Sequence, residues 1–245
     1  MSILPDHRIL VEQLLKSSNI TSPPVKLATI AHHWSGLQIT VDDIQGDAFF
    51  IDLGALGSNI LIKRSATKER QRFSLAHEFG HMVLIDSGVP IDASTPHARN
   101  DEIERWCNVF ASELLMPTAW VRSDILTCDI SHLYVLTHEI SKKYEVSIEA
   151  ALIRITELAP ISAFKLTLSR NHLSVKYNES KEAPLPFGKY KMQIVKMTKS
   201  KQASSSFAVD PGVYCVLQAQ LLTSSEQTWR GFLVKSKDGI KIDLM

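Results

Sequence analysis

The chain is poor in the residues that staple a fold or loosen it. Only three of its 245 residues are cysteine (Cys107, Cys128 and Cys215), and none forms a CxxC pair. That excludes a disulfide framework and a cysteine-based zinc module, and it suits a reducing compartment. Glycine and proline number ten each, too few for a collagen-like or low-complexity chain. No apolar run approaches the ~18 residues of a membrane span. The N-terminus, MSILPDHRIL, lacks the basic region and apolar stretch of a secretory signal. The expectation is a soluble, cytoplasmic protein. Its 44% hydrophobic and 22% charged residues are those of a chain that folds around a core. At ~150 residues per domain, the length allows one or two domains, or three small ones.

The net charge of +1 hides an asymmetry. Residues 1–161 carry 14 basic and 20 acidic side chains, and residues 162–245 carry 13 and 6. Such a shift supports a domain boundary near Pro160. The basic tail suits an acidic partner or nucleic acid, but its lysines do not cluster as a polybasic run, so a solvated surface explains them as well.

Apolar residues recur at helical spacing in 7–17, and the Pro23-Pro24 pair breaks the chain before a second helix over 25–34. Segments 37–41, 48–53 and 59–63, rich in Ile, Leu, Val and Phe and separated by glycines, are expected strands of a small sheet. A long helix is expected over 68–85, a polar stretch over 86–100, and further helices over 101–116, 118–127, 131–144 and 147–158. After Pro160 the pattern turns to strands: 163–169, 172–177, 190–198, 213–223, 228–235 and 240–244, with 199–212 expected as a loop. The expected fold class is α+β. Its parts are a catalytic-type domain over 1–117 with a small sheet and helices, a helix-turn-helix-like segment over 118–160, and a mostly β domain over 161–245.

His77-Glu78-Phe79-Gly80-His81 is an HExxH sequence. On a helix, positions i and i+4 differ by about 40° in azimuth, so His77 and His81 point the same way and can share one Zn²⁺. Glu78 lies about 100° round, able to reach a metal-activated water without being a ligand. Zinc lowers the pKa of such a water to ~7, and Glu78 takes its proton. Phe73 and Leu84 lie near the histidine face and would give it dry walls.

A catalytic zinc needs a third protein ligand and one open position. The helix over 101–116 offers Glu102, Glu104 and Glu113. Its apolar face is built from Ile103, Cys107, Phe110, Ala111, Leu114 and Leu115. Glu104 lies about 80° from the centre of that face, whereas Glu102 and Glu113 lie about 120° and 100° away, toward the opposite side. Glu104 is therefore the expected third ligand, and the other two are expected on a solvated face. Asn108, at i+4 from Glu104, is placed to hold its carboxylate. Cys107 can in principle compete for metal, but its azimuth suits the core. One Zn²⁺ per chain fits two imidazoles and a carboxylate best, although Mn²⁺, Fe²⁺ or Co²⁺ can occupy such a set.

The run Arg70-Gln71-Arg72-Phe73-Ser74-Leu75-Ala76-His77-Glu78-Phe79-Gly80-His81 resembles the ImmA/IrrE metallopeptidases, as does Ile103-Glu104-Arg105-Trp106-Cys107-Asn108-Val109-Phe110-Ala111 with Ser112-Glu113-Leu114-Leu115-Met116-Pro117. Pro24-Val25-Lys26-Leu27 with Ile30-Ala31 is similar to the family's opening helix. The resemblance covers roughly residues 5–160 and implies a compact gluzincin-type domain. Its metal ligands fall on His77, His81 and Glu104, and its catalytic glutamate on Glu78. Where the family often has Glu or Gln and then Ala, this chain has Trp106-Cys107. The resemblance also implies a site-specific endopeptidase whose protein substrate is a helix-turn-helix transcriptional repressor, cleaved to relieve repression.

An oxyanion-stabilising group is not identifiable; His97, His132, His138 and Tyr134 are candidates by type alone. The helices 131–144 and 147–158 have helix-turn-helix spacing, with Glu145-Val146 as the turn. The second helix sets Arg154 against Glu149 and Glu157, a poor surface for DNA and a better one for structure or substrate docking. The competing reading is a DNA- or repressor-binding regulator whose metal site is structural or vestigial. Salt-dependent DNA binding and indifference to Glu78→Gln would favour it.

Overall fold

A computed structural model describes residues 4–52, 57–89, 101–127, 133–159, 161–169, 172–176, 204–210, 213–223 and 226–236. Among them are seven helices and a small three-stranded sheet, an α+β architecture. By contacts the chain divides into two compact units. The first is Met1–Val121 with Ile140–Ala150, and the second is Arg122–Glu139 with Ala151–Met245.

The first unit opens with α1 (His7–Ser17), capped by the Asp6 carboxylate, which accepts from the Arg8 N–H at 2.8 Å. Val11, Leu14 and Leu15 form its buried stripe. The second helix, α2 (Leu27–Ala31), is shorter than the ten residues that periodicity suggests. Lys26 is still extended at its start, and helical bonding gives way to turns at His32 and His33, ahead of Gly36 in the left-handed region. Three strands follow, β1 (Leu37–Asp42), β2 (Ala48–Asp52) and β3 (Ser58–Lys63), in the order β1-β3-β2. β1 runs parallel to β3, and β2 antiparallel to it. Ile60 and Ile62 of β3, the central strand, are buried.

Helix α3 (Lys68–Asp86) packs on β2 and β3. Thr67 caps it by accepting from the Arg70 N–H, and Gln71 Nε2 donates to the Lys63 carbonyl at 2.9 Å, fixing the helix start to the end of β3. Its other end is held by Trp34, whose indole N–H donates to Asp86 at 2.7 Å. Arg72 is a clamp. It donates to the Val25 and Glu145 carbonyls at 3.1 and 3.2 Å and pairs with the Glu145 carboxylate at 3.2 Å. Glu145 itself sits at φ 53°, a left-handed conformation that a non-glycine residue adopts only when its surroundings hold it there.

Helix α4 (Asp101–Leu115) is the principal partner of α3 and also packs on α1. Trp106 donates its indole N–H to the Pro5 carbonyl at 2.8 Å. The two helices meet at Gly80. A Cβ there would stand 3.2 Å from the Cys107 Cα and 3.2 Å from the Phe110 ring, so the spacing requires glycine or a shift of α4. α5 (Thr118–Thr127) begins in this unit after Pro117.

α6 (Leu133–Tyr144) and α7 (Ile148–Leu158) flank the Glu145-Val146 turn. In the first unit, Ser147 accepts from the Ala150 N–H at 3.1 Å and opens α7. The described strands of the second unit are β4 (Ile161–Ser169), β5 (His172–Lys176), β6 (Ser204–Asp210), β7 (Val213–Thr223) and β8 (Glu226–Ser236). They pair antiparallel in the order β5-β4-β8-β7-β6. β6 corrects the expectation of a loop over 199–212. Its serines have weak strand propensity, but an edge position beside β7 supplies the ladder that propensity does not. The strands expected over 190–198 and 240–244 lie outside the described residues.

Candidate metal centre

The middle of α3 and the face of α4 that meets it build one cluster. His77 and His81 are one turn apart on α3, and their Nε2 atoms stand 3.1 Å apart. Glu104, from the first turn of α4, brings its two carboxylate oxygens to 3.4 Å from His77 Nε2 and 3.6 Å from His81 Nε2. The close crossing at Gly80 is what lets a carboxylate on one helix reach imidazoles on the other. Both histidine side chains are only about one-sixth exposed, at 15% and 16%, whereas Glu104 is 35% exposed and forms the wet side of the cluster.

These distances can be tested against a metal. Donors bonded to a tetrahedral ion at ~2.0–2.1 Å stand about 3.3 Å from one another. The observed separations of 3.1, 3.4 and 3.6 Å bracket that value. The orientation fits too. His77 Nδ1 lies 3.0 Å from the Asn108 side-chain oxygen. An oxygen acceptor there calls for the proton on Nδ1 and leaves the Nε2 lone pair for an ion. Asn108 therefore holds His77, not the Glu104 carboxylate expected from its i+4 spacing. The crossing of the helices brings the α3 imidazole within reach of the amide.

The electrostatics favour neutral imidazoles. Burial lowers the His77 pKa against the pull of Glu104. Burial and the neighbouring His77 lower that of His81 to about 4. Both rings are thus unprotonated at neutral pH, as ligands must be. Glu78 is 9% exposed. Burial first, then the Glu104 charge, raise its pKa to about 7, opposed by a hydrogen bond from the Phe50 backbone N–H. A carboxyl poised near neutrality can both take and return a proton.

Phe50 was not among the expected site residues, and no side-chain pattern could have named it, since it acts through its backbone. Among the described residues β2 is an outer strand of its sheet, and it runs beside the glutamate.

Glu113 overturns its expected place on a solvated face. It is 5% exposed and caps α5, accepting from the Thr118 N–H at 2.8 Å and the Thr118 hydroxyl at 2.7 Å. Glu102 is exposed. Of the two expected walls, Leu84 is fully buried, whereas Phe73 is half-buried beneath the Arg70 guanidinium, 5.6 Å above its ring. Cys107 is fully buried, and its thiol lies within 4.8 Å of ring nitrogens of both histidines. His97, His132 and the Tyr134 side chain lie outside the described residues, and His138 lies on α6 in the second unit.

Comparison with known proteins adds an independent line. Residues 37–156 match the model of the peptidase M78 family, described as the IrrE N-terminal-like domain. The chain is 35% identical over 106 residues to the radiation response metalloprotease IrrE of Deinococcus radiodurans, over 42% of this chain and 32% of that protein. It is 33% identical over 102 residues to the protein of the same name from Deinococcus deserti, over 40% of this chain and 36% of that one. It thus spans about a third of the length of the curated relatives it matches. Its fold resembles that of a solved structure described as a Mycobacterium tuberculosis transcriptional regulator. The TM-score is 0.60 and the identity 16%, over 97% of this chain and 90% of that one. Through residues 37–156, the segment that holds His77, Glu78, His81 and Glu104, the chain belongs to the ImmA/IrrE family.

Proposed function

We propose that this chain is a zinc-dependent endopeptidase. The observation that carries the reading is the burial of Glu78 beside a cluster of imidazole nitrogens and a carboxylate whose spacing suits one cation. His77, His81 and Glu104 hold the ion, with Asn108 setting the His77 ring. Zn²⁺ suits this donor set best, and Mn²⁺, Fe²⁺ or Co²⁺ also fit it. When bound, the ion supplies Lewis-acid polarisation of the scissile carbonyl and activation of water. Glu78 does the proton work. It accepts the proton of the attacking water and passes it to the leaving amine.

The outer position of β2 among the described residues supports an extended polypeptide as substrate. A peptide strand laid along β2 would add to the sheet through main-chain hydrogen bonds and would bring its own backbone beside Glu78. Family membership supports, as the particular substrate, a helix-turn-helix repressor in the cytoplasm, cut at one site to relieve repression. Residues 161–245 are read as a separate β-rich domain, and residues 118–160 as a docking or structural helical segment. No helix among the described residues is long and apolar enough to cross a membrane.

The test is Glu78→Gln. Metal analysis should find one zinc per chain in both proteins, while cleavage of a repressor substrate falls by roughly 10²–10⁴-fold in the variant. Cleavage unchanged in a zinc-loaded Glu78→Gln protein would remove Glu78 from the mechanism. Zinc bound equally by wild type and Glu104→Ala would remove Glu104 from the ligand set.

A further inference from the structure

Cys107 stands where the mechanism has no use for it. It lies one helical turn after Glu104 on α4, so both side chains face the His77–His81 pair. Glu104 closes the cluster from the solvent side, at 35% exposure, and Cys107 lies beneath it with no exposure at all. The thiol is not an isolated cysteine. Its sulfur and a ring nitrogen of each histidine lie within 4.8 Å of one another. It has no hydrogen bond to another described residue. Its depth is fixed by the backbone, because the Cys107 Cα is the atom that a Cβ on Gly80 would strike.

We propose that Cys107 is a recruitable fourth donor that closes the centre around a thiophilic divalent cation such as Cd²⁺. This rests on the reading of His77, His81 and Glu104 as a metal centre and goes beyond it. A thiolate and an imidazole sharing a tetrahedral ion, with bonds of ~2.3 and ~2.0 Å, stand about 3.5 Å apart. Cys107 is therefore at most roughly 1.3 Å beyond that reach, a distance that about 45° of χ1 rotation, or a smaller rotation shared with the histidines, covers. Soft cations favour sulfur, whereas Mn²⁺ and other hard cations gain little from it. With Zn²⁺, three protein donors leave the open position that hydrolysis needs. Cd²⁺ would be held by His77, His81, Glu104 and Cys107, the thiol proton being released to buffer as the sulfur binds, and no donor position would remain for water. Selectivity follows: the cation that draws in Cys107 both binds more tightly and stops turnover.

The experiment titrates full-length apoprotein with CdCl₂ and with ZnCl₂. It reads the ultraviolet thiolate-to-cadmium charge-transfer band and the bound metal per chain. The same is done for Cys107→Ala and Cys107→Ser, whose folding is checked by circular dichroism. One cadmium per wild-type chain, with a band that saturates at one equivalent, is expected. In both variants the band should vanish and cadmium affinity fall by roughly tenfold or more relative to zinc, the equivalent of ~1.4 kcal/mol. If Cd²⁺ binds wild type without the band, or if the band survives in Cys107→Ser and so belongs to Cys128 or Cys215, the proposal is overturned while the zinc reading stands. If wild type takes up neither metal, both fall together. Should Cys107→Ala fail to fold, the wild-type band and the closer-sized serine variant still decide the matter.

Discussion

Helix α3 buries polar groups in two places, and they are handled in opposite ways. Near its start, the Arg72 donors are spent on the carbonyls of Val25 and Glu145 and on the Glu145 carboxylate. In its middle, the Nε2 atoms of His77 and His81 stand 3.1 Å apart and face the Glu104 carboxylate, donor atoms of the kind that collect around a cation. Burial acts on both regions, lowering the pKa of Arg72 as it does those of the two histidines. The difference is in satisfaction. A buried polar group whose partners are already present holds the fold together. Two imidazoles and a carboxylate brought together at ion-ligand spacing are suited instead to binding.

The contrast can be broken by substitution. Arg72→Met should cost about 2 kcal/mol of stability, because it removes the partner of the Val25 carbonyl, on a fully buried residue, and the tie to Glu145, and metal affinity should change little. Denaturant melts and zinc titration of the same protein check both halves; a large loss of zinc affinity at unchanged stability would place Arg72 in the centre. At Glu78 the sign is reversed. Its pKa is raised from 4.5 to about 7, so its protonated form is favoured by folding. That contribution is fully present below about pH 4.5 and is lost as pH rises through about 7. Metal-free Glu78→Gln should therefore be more stable than wild type at pH 8, by roughly 3 kcal/mol, and nearly equal to it at pH 4.5. Parallel pH profiles of the two proteins would contradict this.

Asn108→Leu removes the acceptor for His77 Nδ1 and should weaken zinc binding by ~10–100-fold at little cost in stability. An unchanged zinc affinity would show that His77 needs no partner to orient it. The smallest effect is expected at Glu113→Gln. An amide keeps one acceptor of the α5 cap but loses the charge, at a cost of about 1 kcal/mol and none in metal binding. Thermal melts beside zinc titration test it, and a change in zinc affinity would tie this corner to the site.

What the sequence made legible followed from helix azimuth. The pairing of His77 with His81, the position of Glu78 and the side of α4 that bears Glu104 all come from 3.6-residue periodicity, which holds inside each helix whatever surrounds it. The errors arose where a second element decides. Glu113 has the azimuth of a solvated residue, but the chain turns at Pro117 and lays the start of α5 against it. Asn108 shares a side with Glu104, but the close crossing at Gly80 offers it an imidazole first. Phe50 contributes a main-chain group, on which side-chain patterns are silent. The strand over Ser204–Asp210 was hidden by its serines and formed by its neighbour.

The tryptophans make the core of this molecule observable. The Trp34 indole lies 5.1 Å from the ring of Phe79, the residue between Glu78 and Gly80, and is tethered to the far end of the same helix. Trp106 stacks on Phe110 at 5.3 Å, immediately before Cys107 on the opposing helix. One fluorophore therefore rests on each of the two helices that form the cluster, without any label. A rearrangement that draws α3 and α4 together around an ion would pass into their emission, and the difference between Trp34→Phe and Trp106→Phe would show which helix had moved.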